Sequence, residues 1–128
     1  MAQSPRTPSA VVRGLGAAHA GTADFWRQRL TAVALLPLAV LFICLLIVLA
    51  GADRATVIST LGNGWVAVPL LLLIVAGIVH MRIGMREIID DYIHTPALRL
   101  TALVANTCFS CAVGLAAALA VVKLSFGV

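Results

Sequence analysis

Apolar residues in this chain fall into three long blocks separated by short polar breaks. Leu30 to Ala52 carries no charge. Ala55 to Met81 holds no formal charge and includes one histidine, His80, near its end. Leu100 to Val122 is again uncharged. A helix rises about 1.5 Å per residue, so roughly 20 residues cross a hydrocarbon core of about 30 Å. None of the blocks alternates apolar and polar positions as a membrane barrel strand does. The pattern predicts an all-α membrane protein with three transmembrane helices, over about residues 30–52, 64–89 and 97–123.

The breaks carry helix start signals. Asp24 is a candidate N-cap for the first span, and Trp26 suits a membrane interface. Pro37 lies inside that span and is expected to kink it. "LGNGW" marks the turn into the second span, with Asn63 as candidate cap and Trp65 as a second interfacial anchor. In "HTPALRL", Thr95 is the expected N-cap of the third span and Pro96 its first helical residue. The third span also carries Asn106, Ser110, Gly114 and Ala118 at four-residue spacing, a stripe that lets another helix approach closely.

Composition agrees with this reading. Of the 128 residues, 62% are hydrophobic and 11% charged, against about 45–50% and about 25% in soluble domains. The net charge of +4 matters for its placement rather than its size. Arg6, Arg13, Arg27, Arg29, Arg82, Arg86 and Arg99 lie on one side of the three spans; only Arg54 and Lys123 lie on the other. The positive-inside rule then puts the N-terminus in the cytoplasm and the C-terminus across the membrane. Residues 1–24 are expected to form a cytoplasmic arm, with 25–128 the anchor domain. The arm's arginines, serines and lack of acid before Asp24 are also those of a mitochondrial transit peptide. Cys44, Cys108 and Cys111 all fall inside spans, so "CFSC" is expected to be packing surface rather than a redox motif.

The candidate chemistry sits at the end of the second span, in "HMRIGMREIIDDYIH". With about 100° per residue, Gly77, His80, Gly84, Glu87 and Asp91 share one helix face, and Tyr92 lies beside it. Two glycines flanking an intramembrane histidine leave clearance for something bulky, such as a flat macrocycle. Neutral imidazole is a common axial ligand of haem iron. The same glycines also suit close helix packing, with His80 hydrogen-bonded to a neighbour. Asp91 and Tyr92 end this face at the membrane boundary, where a tyrosine hydroxyl can bond a ligand carbonyl and a carboxylate can relay protons. Tyr92 is equally an interfacial belt residue by position. Glu87, Asp90, Arg82 and Arg86 are expected to be a solvated, mutually paired rim.

The histidine, the glycine four residues on, and Asp-Tyr at eleven and twelve resemble the second-helix signature of the succinate dehydrogenase hydrophobic membrane anchor family. "DFWRQRLTA" before the first span resembles that family too, and so do the length and the three spans. The resemblance implies that His80 is an axial ligand of haem b, shared with a second cytochrome b anchor subunit. It implies that Tyr92 contacts ubiquinone with Asp91 beside it. Arg29 matches an arginine that supports the haem propionates or the quinone site. Two departures are visible. Ala23 stands where some members carry histidine, and Arg82 and Arg86 stand where some carry aromatic residues. That second change bears on docking to the iron–sulfur subunit.

The implied assembly is a succinate:quinone oxidoreductase, complex II, completed by an iron–sulfur subunit and a flavoprotein subunit. This chain would not itself oxidise succinate: it has no dinucleotide-binding glycine loop and no cysteine clusters for iron–sulfur centres. The expected compartment is the bacterial inner membrane, with the mitochondrial inner membrane as the alternative. A quinol:fumarate reductase anchor fits the same residues. From a different class, so does a small transporter or channel subunit relaying protons through His80, Glu87 and Asp91.

Overall fold

The computed structural model describes residues 20–127. They form four helices: α1 (Ala20–Leu49), α2 (Arg54–Gly62), α3 (Gly64–Tyr92) and α4 (Pro96–Phe126). There is no strand among the described residues. Three of the helices are long and apolar enough to cross a membrane. At 30, 29 and 31 residues, each is about 45 Å long, so its ends project beyond a hydrocarbon slab of about 30 Å.

One boundary differs from the sequence expectation, and one short helix is added to it. Helix α1 begins at Ala20, ahead of the 24/25 division between arm and anchor, and this puts Asp24 inside the helix rather than at its cap. Its carboxylate is drawn there by arginines rather than by backbone N–H groups. Residues 1–19 of the expected arm lie outside the described residues. The apolar block Ala55–Met81 is also divided. Asp53 accepts a 3.2 Å hydrogen bond from the Thr56 N–H and caps the short α2. Asn63 then closes α2 by donating its N–H to the Thr60 carbonyl, and opens α3 by accepting from the Trp65 N–H at 3.0 Å. The turn at Asn63 agrees with the sequence reading, and the short helix α2 ahead of it is the unexpected element.

The other start signals hold. Thr95 occupies the N-cap of α4 and Pro96 its first turn, although the threonine side chain makes no capping bond. Helix α1 runs through Pro37 without ending. Gly51, with φ of 82°, supplies the left-handed residue that turns the chain after α1.

Helix α3 lies between α1 and α4 and packs on each, while α2 rests on the end of α4. The well-buried side chains follow from this order: Ala67, Ile83 and Ile89 of α3, and Ser110 of α4. The stripe on α4 does face α3. Asn106 donates to the Arg82 carbonyl at 3.0 Å, and Ser110, fully enclosed, donates to the Asn106 carbonyl at 2.7 Å. A Cβ on Gly114 would stand 3.0 Å from Ile78. Most other large apolar side chains are exposed, including Trp65 at 91%. In water that surface would be a liability; against lipid or partner helices it is the expected exterior.

A candidate ligand histidine and the arginine-rich end

His80 lies five turns into α3 and points at α1. Its Nδ1 is 3.3 Å from the Thr31 hydroxyl oxygen and 3.3 Å from the Gln28 carbonyl oxygen. The Thr31 hydroxyl has one proton, which it directs to helix carbonyls, those of Arg27 at 2.7 Å and Gln28 at 3.1 Å. A carbonyl can only accept, and a hydroxyl whose proton is committed can only accept as well. Nδ1 therefore faces two acceptors, and the satisfied tautomer carries its proton there. The Nε2 lone pair is left for another partner.

The surroundings come from one face of α1. Asp24, Gln28, Thr31 and Leu35 recur at steps of four, three and four residues, which stack on a helix. The space above Gly84 and Gly77 is shared with this face: a Cβ on Gly84 would stand 3.1 Å from Gln28 Nε2, and one on Gly77 3.9 Å from a Leu35 methyl. On the α1 side, then, the clearance admits α1 itself. Gln28 Oε1 is buried and has no hydrogen-bond partner among the described residues. Sequence reasoning missed Gln28 and Thr31. Their signal was their register with Asp24: polar residues entering an apolar helix on one face must turn toward protein.

Charged groups gather at the same end of the bundle. Asp24 pairs with Arg86 at 2.7 Å and with Arg27 at 3.5 Å. Arg86 also reaches Asp90 at 3.6 Å, and Asp90 pairs with Arg99 at 2.7 Å. The chain Asp24–Arg86–Asp90–Arg99 thus ties α1, α3 and α4 together. Of the rim read from the sequence, Arg86 and Asp90 are paired, with Asp24 and Arg99 as added members, while Glu87 makes no ion pair among the described residues. Arg82 makes no ion pair among the described residues.

The remaining site residues stand apart. Asp91 and Tyr92 close α3, about 17 Å along the axis from His80. Both are exposed, Tyr92 at 79%, and neither makes a side-chain hydrogen bond or ion pair among the described residues. Arg29 stacks its guanidinium 4.2 Å from the centre of the Phe25 ring rather than turning to His80. No group of three or more His, Cys, Asp or Glu residues that could hold a metal ion gathers among the described residues. Any metal bound through His80 would need further ligands from its own macrocycle or from another chain. The three cysteines are unpaired.

Comparison with known proteins agrees with this architecture. Residues 3–121 match the family model described as succinate dehydrogenase/fumarate reductase transmembrane subunit. The succinate dehydrogenase hydrophobic membrane anchor subunit of Paracoccus denitrificans is 32% identical over 121 residues, covering 94% of this chain and 93% of that protein. The protein of the same description from Rickettsia bellii is 28% identical over 98 residues, 77% of this chain and 78% of its own length. No solved structure matches. With three apolar helices, a histidine held at the arginine-rich end of the middle one, and a family match along nearly the whole chain, this protein belongs to the succinate dehydrogenase/fumarate reductase transmembrane subunits.

Proposed function

We propose that this chain anchors a succinate:quinone oxidoreductase in the bacterial inner membrane, with His80 as one axial ligand of a haem b shared with a second anchor chain. The observation that carries this reading is the pair of acceptors at His80 Nδ1, 3.3 Å each, which leaves the Nε2 lone pair for another partner. Metal-bound histidines nearly always give their other N–H to such an acceptor, which fixes the ring and raises its basicity. The donor chemistry therefore fits haem iron. When bound, haem b supplies a one-electron carrier within the membrane. His80 would hold the group from this chain, Thr31 and Gln28 hold His80, and the partner chain would supply a further ligand.

Asp91 and Tyr92, at the arginine-rich end, form part of the ubiquinone site. Their exposure supports this, since a quinone head-group and the iron–sulfur subunit both need an accessible surface there. The tyrosine hydroxyl donates to a quinone carbonyl oxygen, and the aspartate passes protons toward it. The arginine excess supports a cytoplasmic position for this end. The family description covers succinate oxidation and fumarate reduction alike. We favour the succinate direction because the relatives from Paracoccus denitrificans and Rickettsia bellii carry that name.

The test is His80→Leu in the intact complex, read by reduced-minus-oxidised spectra. Loss or marked weakening of the b-type signal, with the complex still assembled, is expected. An unchanged signal at full haem occupancy overturns the ligand assignment.

A further inference from the structure

Helices α1 and α4 flank α3 without closing over it, which leaves a cleft at the arginine-rich end. It consists of two adjoining hollows of about 230 and 220 Å³ that share Asp24, Arg82 and Ile83 in their walls. Arg86 lines one and Arg27 the other. Three arginines against one aspartate give the cleft a net charge of +2. Deeper along α3 the walls turn apolar, with Ile78 and Val79.

Arg82 makes the charge balance acute. It lies 17 residues from the interfacial Trp65, about 25 Å along the helix, and so within a hydrocarbon slab of about 30 Å. An arginine at that depth requires a counter-charge or a route to the interface. Asp24 is already engaged by Arg86 and Arg27, and Asp90 by Arg86 and Arg99. The chain has only five acidic residues, and none precedes Asp24. Glu87 and Asp91 stand on α3 but line neither hollow, so Asp24 is the one carboxylate in the walls and an anion from outside the chain would balance the surplus.

We propose that the cleft seats the phosphodiester headgroup of an anionic phospholipid, such as phosphatidylglycerol, from the leaflet at this end. Arg82 grips the phosphate with Arg27 and Arg86 beside it, Asn106 and Thr107 offer polar contacts from α4, and an acyl chain descends along Ile78 and Val79. Two features of the cleft match this ligand: a guanidinium surplus suited to phosphate oxygens, and apolar side chains in the walls beyond it, Ile78 and Val79. Neither depends on the haem or quinone assignments. The bound lipid would tie α1 to α4 on the side where they make little contact with each other.

The test uses the whole complex, purified through a tag on this chain, as wild type, Arg82→Gln, Arg27→Gln and, at the opposite end, Lys123→Gln. Each is reconstituted into phosphatidylcholine nanodiscs carrying increasing phosphatidylglycerol, and retained lipid is counted by native mass spectrometry. The wild type and Lys123→Gln are expected to retain phosphatidylglycerol against phosphatidylcholine. Arg82→Gln should bind it about tenfold or more weakly, the loss of a charge-assisted hydrogen bond. Arg27→Gln should show a smaller loss, and it carries the comparison if Arg82→Gln does not assemble. Inorganic phosphate in excess should not displace the lipid. Equal retention by all four proteins overturns the proposal. Displacement by inorganic phosphate overturns the lipid assignment, and so does a photo-cross-linker at Leu103 that captures a partner subunit instead of lipid.

Discussion

Replacing Thr31 with valine removes one of the two acceptors at His80 Nδ1 while keeping the side chain's shape. A neutral hydrogen bond contributes about 0.5–1.5 kcal/mol net. The separation of 3.3 Å is longer than the usual 2.7–3.2 Å or so, and the Gln28 carbonyl stays at 3.3 Å, so the lower half of that range applies. For a one-electron couple a tenfold change, about 1.4 kcal/mol, corresponds to about 59 mV. The expected shift is therefore about 20–40 mV. Its sign follows from the ligand. An acceptor on Nδ1–H makes the imidazole more basic and favours oxidised iron, so losing one raises the midpoint potential. The assay is redox potentiometry on the purified complex, following the b-type absorption, with Thr31→Ser expected to restore the wild-type value. An unchanged or lowered potential in Thr31→Val, at full haem content, refutes the placement of the proton on Nδ1.

Gly62→Ala should destabilise the protein by about 1–3 kcal/mol, because its Cβ would stand 2.7 Å from the Leu124 carbonyl oxygen, a backbone atom with nowhere to move; thermal unfolding in detergent reads this. Gly77→Ala meets nothing closer than 3.9 Å within this chain, so it should leave stability intact, and any loss of b-type absorption in that variant reports a ligand that needs the space. Tyr92→Phe should raise the KM for quinone while leaving assembly and haem content unchanged; a wild-type KM and turnover would make Tyr92 an interfacial anchor only. The Asp53 carboxyl is held below the usual carboxylate range by the hydroxyl and then the backbone N–H of Thr56. Its support for α2 is whole at neutral pH, declines as pH drops below the unfolded carboxylate's value, and is gone once pH passes the lowered folded value. Asp53→Asn should remove that acid-side loss in stability-versus-pH measurements, and an unchanged profile would count against the cap's contribution.

Much of this architecture was legible along the chain because membrane insertion imposes local rules. Three blocks of about 20 apolar residues have few alternatives to helix when each backbone N–H and C=O needs a partner within its own segment. Asn63, Thr95 and Pro96 marked helix starts because capping is settled within a few residues. The stripe Asn106–Ser110–Gly114 announced a packing face through small size and regular spacing. Where the reading slipped, longer-range contacts had the deciding role. Asp24 looks like a cap to its own helix, yet Arg86, 62 residues away, pairs with it at 2.7 Å from within α3. The short helix α2 passes unnoticed in an apolar count, although the carbonyl of Leu124 packs so close that it leaves no room for a side chain on Gly62.

The sequence by itself thus determined the helical class, the span number, the crowding of charge at one end and His80 as the ionisable outlier within a span. These depend on composition and on periods of a few residues. Only the tertiary structure decided what His80 faces. Its tautomer follows from Thr31 and Gln28, 49 and 52 residues away, and no local spacing encodes which helix lies opposite. The same holds for Arg82: its charge is written in the sequence, but that its neighbours' carboxylates are already taken emerges only when α1, α3 and α4 are brought together.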